Sequence, residues 1–209
     1  MSWDQIVDEA RGVLEGMHKA RESALSQSRL LIQTSSKCIR HVHRKQYAEA
    51  EKLLQDARNI AAKARQDAGG YPEILYAGYI QDGEKEMVEA AAVLAITQGR
   101  PVPSHTELGV QVPSYLNGMG EAASEVRRFL LDEMRAGRFD VAERILREME
   151  QIYDDLITFD FPDGLTGGLR RTCDALRAVI ERTRSDLTMT LSQIDLLTEL
   201  KKYNTSRNE

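Results

Sequence analysis

Three carboxylates are the first candidates for chemistry, because they recur at helical spacing in a largely apolar stretch. Asp82, Glu86 and Glu89 follow one another at four and three residues, so on a helix they fall within an arc of about 60°. Neighbouring carboxylates repel one another, and more strongly when they lose contact with water, unless a cation lies between them. Mg²⁺ and Mn²⁺ prefer such oxygen ligands. The spacing therefore suits a site for a divalent cation, although a solvated acidic stripe balanced by Lys85 or a neighbouring arginine has the same spacing and is the commoner arrangement.

Two later segments carry rows in which acids and bases recur at helical spacing. The first row contains Glu121, Glu125, Arg128 and Asp132, and the second contains Asp140, Glu143, Arg144 and Arg147. Opposite charges three or four residues apart are typical of ion pairs on the solvated face of a helix. On spacing alone, both rows are therefore interpreted as surface ion pairs.

A row of cations is predicted on the first helix. Arg29, Lys37, Arg40 and Arg44 share one face, and His43 is one of several further hydrogen-bond donors nearby. The spacing suits contacts with successive phosphates of a nucleic acid. A solvated face of a coiled-coil-like helix would show the same pattern, so spacing alone does not separate the two interpretations.

The charge of the chain is unevenly distributed. The net charge over 209 residues is −5, yet residues 11–65 hold twelve Lys or Arg and five Asp or Glu. A basic segment within an acidic protein can form a site for a polyanion. The overall acidity therefore does not exclude a nucleic acid as ligand.

Several other kinds of site are excluded by the sequence. The chain has no P-loop and no Cys-x-x-Cys pair, and it has a single Glu-x-x-His sequence where a di-iron bundle needs two. No apolar run approaches the roughly 18 residues of a membrane helix, and the acidic N-terminus differs from a secretory signal. Cys38 and Cys173 lie far apart, so we expect no disulfide and a cytoplasmic protein.

The elements that position these residues are predicted to be long helices. All five prolines lie outside the interiors of the periodic segments, as expected for a residue that interrupts helices. No segment shows the alternating pattern of a strand. We predict one all-α domain over residues 1–209, a bundle of six or seven long antiparallel helices. The main helices are predicted at 4–44, 48–67, 72–98, 113–135, 139–158 and 169–203, with a loop at 99–111.

Short motifs in a fixed order cover most of the chain. They are ARE at 20–22, TSSK at 34–37, KEMVEA at 85–90, TELGV at 106–110, YLNG at 115–118, EVRR at 125–128 and AGRFD at 136–140. Their order and spacing resemble the translin family, and within it the single-gene prokaryotic members of the translin-associated factor X group. The motif at 85–90 is similar to the Glu-x-x-Glu-Ala stretch of the nuclease subunit of that family.

The resemblance implies a fold, an activity and a set of residues. It implies an all-α, translin-like subunit of a hollow homo-oligomer, commonly an octamer, and a Mg²⁺-dependent endoribonuclease for single-stranded RNA, with Mn²⁺ as the other suitable ion. Glu86 and Glu89 match two catalytic acids and Asp140 matches a third, and these three are the implied metal ligands. The fourth acid of the family falls on a basic residue here. Glu143 is the implied substitute, and Glu125 is a further candidate.

Three functions remain open at this point. The first is the nuclease, with the cations of the first helix holding RNA by its phosphates. The second is a catalytically inactive oligomer that binds single-stranded RNA or DNA, which the missing fourth acid favours. The third is a helical scaffold for protein partners, which the long apolar repeat of the first helix favours. None of the three involves a membrane.

Overall fold

The computed structural model describes residues 1–206, and every regular element in that range is an α-helix. Six helices are long and three are single turns, so the predicted all-α fold is confirmed. The predicted domain extends to residue 209, and positions 207–209 lie outside the described residues. No helix of the described range has the length and apolar character needed to cross a membrane. The helices are α1 (Trp3–His43), α2 (Tyr47–Ala68), α3 (Pro72–Leu75), α4 (Tyr79–Thr97), α5 (His105–Leu108), α6 (Val112–Arg135), α7 (Phe139–Leu156), α8 (Asp163–Thr166) and α9 (Leu169–Ser206).

Helix α4 is the centre of the bundle. It packs against α1 and α2 on one side and against α6 on the other, and α6 in turn packs against α7 and α9. Most residues of α4 are buried, including Met87, Val88 and an unbroken run from Ala90 to Thr97. A helix that is apolar on nearly every face must lie inside the protein. The acids of α4 therefore lie on a helix that has little contact with water.

Helices α4 and α6 approach each other closely at Gly118. A Cβ atom at this position would lie 2.6 Å from the carbonyl oxygen of Lys85 and 2.7 Å from Cβ of Val88. Neither a backbone oxygen nor the Cβ of a branched residue can move aside easily. The absence of a side chain at Gly118 therefore permits the spacing at which the acids of α4 meet those of α6.

The predicted third helix is interrupted, which corrects the expectation of one helix over 72–98. Helix α3 ends at Leu75, and α4 begins at Tyr79 directly after Gly78, whose φ of +94° is a conformation that favours glycine. The side chain of Gln81 holds the break, since it accepts from the amide of Gly78 and donates to the carbonyl of Leu75 at 2.8 Å. The segment therefore contains two helices, and the acids predicted on it all lie on the second.

Apolar side chains are exposed at the start of α1 and at the end of α9. They include Trp3, Val13 and Leu14 in α1, and Leu196 and Tyr203 in α9. Clustered apolar surface of this kind is typical of contacts between protein chains. Both ends therefore offer surface that an assembly of several chains can bury.

Candidate metal centre between α4 and α6

Three carboxylates from two helices meet beside the core. Glu86 and Glu89 of α4 and Glu121 of α6 each offer one oxygen, and these oxygens lie within 4.8 Å of one another. All three residues are partly buried. The spacing predicted on α4 therefore brings Glu86 and Glu89 to one site, whereas Asp82 is exposed and lies outside this group.

The electrostatics of the cluster are unfavourable without a cation. The pKa of Glu89 is raised to about 8, first by burial and then by the charges of Glu86, Glu121 and Glu125. The pKa of Glu86 is raised by burial and then by the charge of Glu121. A divalent cation would offset both causes, because it supplies positive charge where water is scarce. The donor set therefore fits a hard divalent ion such as Mg²⁺ or Mn²⁺.

Lys85 brings a positive charge to the cluster from α4 itself. Its Nζ donates to Oε1 of Glu121 at 2.7 Å. The charge of Lys85 lowers the pKa of Glu86 and of Glu89, yet both remain raised. One ammonium therefore balances only part of the negative charge at this site, and the alternative of an acidic stripe neutralised by Lys85 is not favoured.

Helix α1 reaches the site through a histidine. Nε2 of His43 lies 2.6 Å from Oε1 of Glu125, and the His43 side chain is 4% exposed. Its Nδ1 is buried without a hydrogen-bond partner in the described part of the chain, so the bond to Glu125 is the one side-chain hydrogen bond that the ring makes there. His43 thereby fixes one oxygen of a carboxylate whose charge acts on Glu89.

A cavity of about 510 Å³ opens at the cluster. Its lining comes from α4, α6 and α9, so the acids face a space that a ligand can enter. The lining residues are Glu86, Glu89, Gly120, Glu121, Ser124, Glu125, Arg171, Thr172 and Ala175.

The structure does not bring Asp140 or Glu143 to this cluster. Asp140 is exposed at the start of α7, and Glu143 forms an ion pair within α7 with Arg147 at 3.8 Å. Neither residue lines the cavity. The reason is that α7 packs mainly on α6 and α9 and has few contacts with α4.

Helix α6 supplies the second set of acids instead. Glu121 and Glu125 are four residues apart, so they share one face of α6. The interpretation of these two as surface ion-pair residues is wrong, because their partners Lys85 and His43 lie on other helices. Sequence spacing places Glu121 and Glu125 on one helix face, but it does not show which other helices pack against that face.

The predicted cation row lies on the exposed face of α1. Arg29, Lys37, Arg40 and Arg44 are all exposed, and none forms a salt bridge with another residue of the range 1–206. Arg44 directly follows His43. The cation row therefore ends beside the residue that contacts Glu125.

The fold and the site together define an all-helical protein with a carboxylate cluster suited to a divalent cation. No family model matches the sequence. The chain is 26% identical to the uncharacterized protein MJ0175 of Methanocaldococcus jannaschii over 190 residues. These residues cover 90% of this chain and 84% of that protein.

Two solved structures are similar over nearly their whole length. AfC3PO, in a complex with duplex RNA, has a TM-score of 0.83 and 36% identity, over 90% of this chain and 97% of that one. Apo-NeC3PO has a TM-score of 0.78 and 25% identity, over 88% of this chain and 96% of that one. The chain therefore belongs to the translin family, which includes the C3PO complexes.

Proposed function

We propose that this protein is a Mg²⁺-dependent endoribonuclease that binds and cleaves single-stranded RNA, with Mn²⁺ as an alternative ion. The observation that carries the proposal is the convergence of Glu86, Glu89 and Glu121, whose oxygens lie within 4.8 Å of one another beside an open cavity. Three partly buried carboxylates repel one another at this separation unless they share a cation. Their arrangement is therefore explained best as a metal centre.

The three clustered acids would hold the ion. When bound, a divalent cation lowers the pKa of a water molecule and stabilises negative charge on a phosphate. Glu125 lines the same cavity and is held at Oε1 by His43. Its other oxygen can therefore accept a proton from a nucleophile in the cavity, provided that the substrate brings the nucleophile within hydrogen-bond reach.

The cation row of α1 supports RNA as the substrate. Arg29, Lys37, Arg40 and Arg44 are exposed and free of salt bridges within the described residues, so they are available to phosphates. The related protein AfC3PO has been solved with duplex RNA. Single-stranded RNA is the proposed substrate here and single-stranded DNA a second ligand, both held chiefly through phosphates and hence in a salt-dependent way.

An oligomer is the proposed working form. The exposed apolar ends of α1 and α9 supply surface for contacts between subunits, and relatives in the C3PO group support an oligomeric assembly. We propose a homo-octamer in the cytoplasm, where the buried free thiols of Cys38 and Cys173 would stay reduced.

The decisive experiment compares RNA cleavage and RNA binding in the same proteins. Labelled single-stranded RNA is incubated with wild type and with the double variant Glu86→Gln and Glu89→Gln, in Mg²⁺ and in EDTA. We expect Mg²⁺-dependent products from wild type only, and binding by both proteins. The matched control is the double variant Asp140→Asn and Glu143→Gln, which removes two acids outside the cluster and should retain cleavage.

Two results would contradict the proposal. Cleavage by the Glu86 and Glu89 variant at the wild-type rate would place the reaction elsewhere. Salt-dependent binding by wild type without products in Mg²⁺ or Mn²⁺ would instead establish the catalytically inactive RNA- and DNA-binding oligomer.

A further inference from the structure

A second cavity of about 520 Å³ opens beside the metal centre. The two cavities share Glu121, Arg171 and Thr172 in their linings. The two cavities are therefore neighbours, and we call the pair the groove; it extends from the carboxylate cluster toward the break between α3 and α4.

The far part of this groove carries two exposed apolar side chains. Tyr76, which follows α3, is 64% exposed, and Leu165 of α8 is 65% exposed. They come from two separate elements that line the same cavity. An exposed aromatic ring in a polar groove is a surface on which a nucleobase can stack.

Both sides of the groove are held by hydrogen bonds. On the side of Tyr76, Gln81 spans the break between α3 and α4. On the side of Leu165, the amide of Asn117 donates to the carbonyl of Thr166 at 2.7 Å and accepts from the hydroxyl of Thr172 at 2.7 Å. The two apolar side chains are therefore presented by ordered backbone.

The junction of the two cavities carries a cation. Arg171 is exposed, lines both cavities and forms no salt bridge within residues 1–206. Lys85, which lines the second cavity, is already bonded to Glu121. Arg171 is therefore the cation at the junction that is available to a phosphate.

We propose that this groove binds one nucleotide of the RNA strand next to the phosphate held at the metal centre. The base lies between Tyr76 and Leu165, and the phosphate of the nucleotide contacts Arg171. This inference rests on the proposed function, because it places the strand relative to the metal. Stacking uses the face of a base and not its edges, so the site accepts every base and binds purines more tightly because their rings are larger.

The test uses RNA oligonucleotides in which one abasic position is moved along the strand. The dissociation constant is measured by fluorescence anisotropy at fixed salt, and Mn²⁺ binding is measured separately. For wild type, one abasic position should weaken binding about tenfold. For Tyr76→Ala, intact RNA should bind about tenfold more weakly, and the same abasic position should have no further effect. Tyr76→Phe should behave as wild type, and Mn²⁺ binding should not change in either variant.

Arg171 has a matched control on the same helix. Arg171→Ala and Arg170→Ala each remove one exposed cation, but only Arg171 lines the groove. We expect Arg171→Ala to weaken binding several-fold more than Arg170→Ala. Equal losses would show that the groove makes no specific phosphate contact and would overturn that part of the inference.

The outcomes separate this inference from the proposed nuclease. An undiminished abasic effect in Tyr76→Ala, or wild-type affinity of that variant for intact RNA, would overturn the base site even if cleavage is normal. Binding by wild type without Mg²⁺-dependent cleavage would contradict the nuclease, and the abasic comparison would still decide the base site. Failure of wild type to bind RNA would overturn both.

Discussion

The substitution Glu89→Gln should stabilise the metal-free protein. In the folded chain the pKa of Glu89 is about 8, against an ordinary value of 4.5, because burial and three neighbouring carboxylates disfavour its charged form. Between these pH values the folded state keeps a proton that the unfolded state has lost. The free energy of unfolding therefore falls as the pH rises from about 4.5, and levels off above about 8. A glutamine has the same shape but does not titrate.

The size of the effect follows from the width of this pH range. Each unit between the two pKa values changes the free energy of unfolding by about 1.4 kcal/mol, which gives about 3 kcal/mol by pH 7. Because Glu89 is only partly buried, screening by water reduces this figure, and we expect a gain of about 2 kcal/mol. For a chain of this length that gain corresponds to a rise in Tm of roughly 4–8 °C.

The assay is thermal unfolding in EDTA at pH 5, 7 and 8, at one protein concentration because assembly also affects Tm. The advantage of Glu89→Gln over wild type should be small at pH 5 and should grow to pH 8. Added Mg²⁺ should stabilise wild type more than the variant, which lacks one ligand. The control is Glu143→Gln on α7, whose residue pairs with Arg147 on a solvated face, and which should change Tm little at any pH.

Two results would refute this reasoning. Equal Tm values for wild type and Glu89→Gln at pH 8 in EDTA would show that burial and the neighbouring carboxylates do not oppose ionisation of Glu89. A gain of the same size at pH 5 and pH 8 would show that the amide stabilises the fold for a reason unrelated to charge.

Three further predictions concern other parts of the molecule. His43→Ala should lower the rate of Mg²⁺-dependent RNA cleavage by about 10–100-fold, measured with labelled RNA, because it releases the Glu125 carboxylate that is proposed to accept the proton; His43→Gln, which can still donate to Glu125, should recover most of the loss. Arg40→Ala should reduce the slope of log affinity for RNA against log salt by about one, measured by titration at several salt concentrations. Gly118→Ala should lower the free energy of unfolding by about 2 kcal/mol or more in denaturant titrations, since its Cβ would overlap α4. By contrast Gly12→Ala, where the Cβ meets no atom within 4 Å, should be neutral or stabilising.

The helices of the fold could be read from the sequence because their signals are local. Proline and glycine mark the ends of the periodic segments, and the predicted bounds of the long helices lie close to the observed ones. The break before Tyr79 was missed because Pro72 is compatible with the start of one long helix. What separates α4 from α3 is the φ of Gly78, the N-cap of α4, together with the hydrogen bonds of Gln81, and the sequence pattern does not distinguish this break from a continuous helix.

The site could be predicted only as far as one helix determines it. Glu86 and Glu89 are neighbours because of the helical repeat, so spacing was sufficient. Glu121 was interpreted as a surface residue because an acid with a base nearby on the same helix looks the same whether the face is solvated or packed. Its role depends on how α6 lies against α4 at Gly118, a contact between residues distant in the sequence. Asp140 was matched to the family by order along the chain, which does not determine which helix faces α4.

The exposed apolar ends of α1 and α9 have a consequence for how the cell must make this protein. A newly synthesised chain with Trp3 and Leu196 in water exposes two apolar surfaces until it binds another copy. Its solubility then depends on how quickly copies find one another. At low expression, single chains would be bound by chaperones or degraded by proteases before they assemble. The amount of assembled oligomer should therefore rise more steeply than the amount of chain that is synthesised.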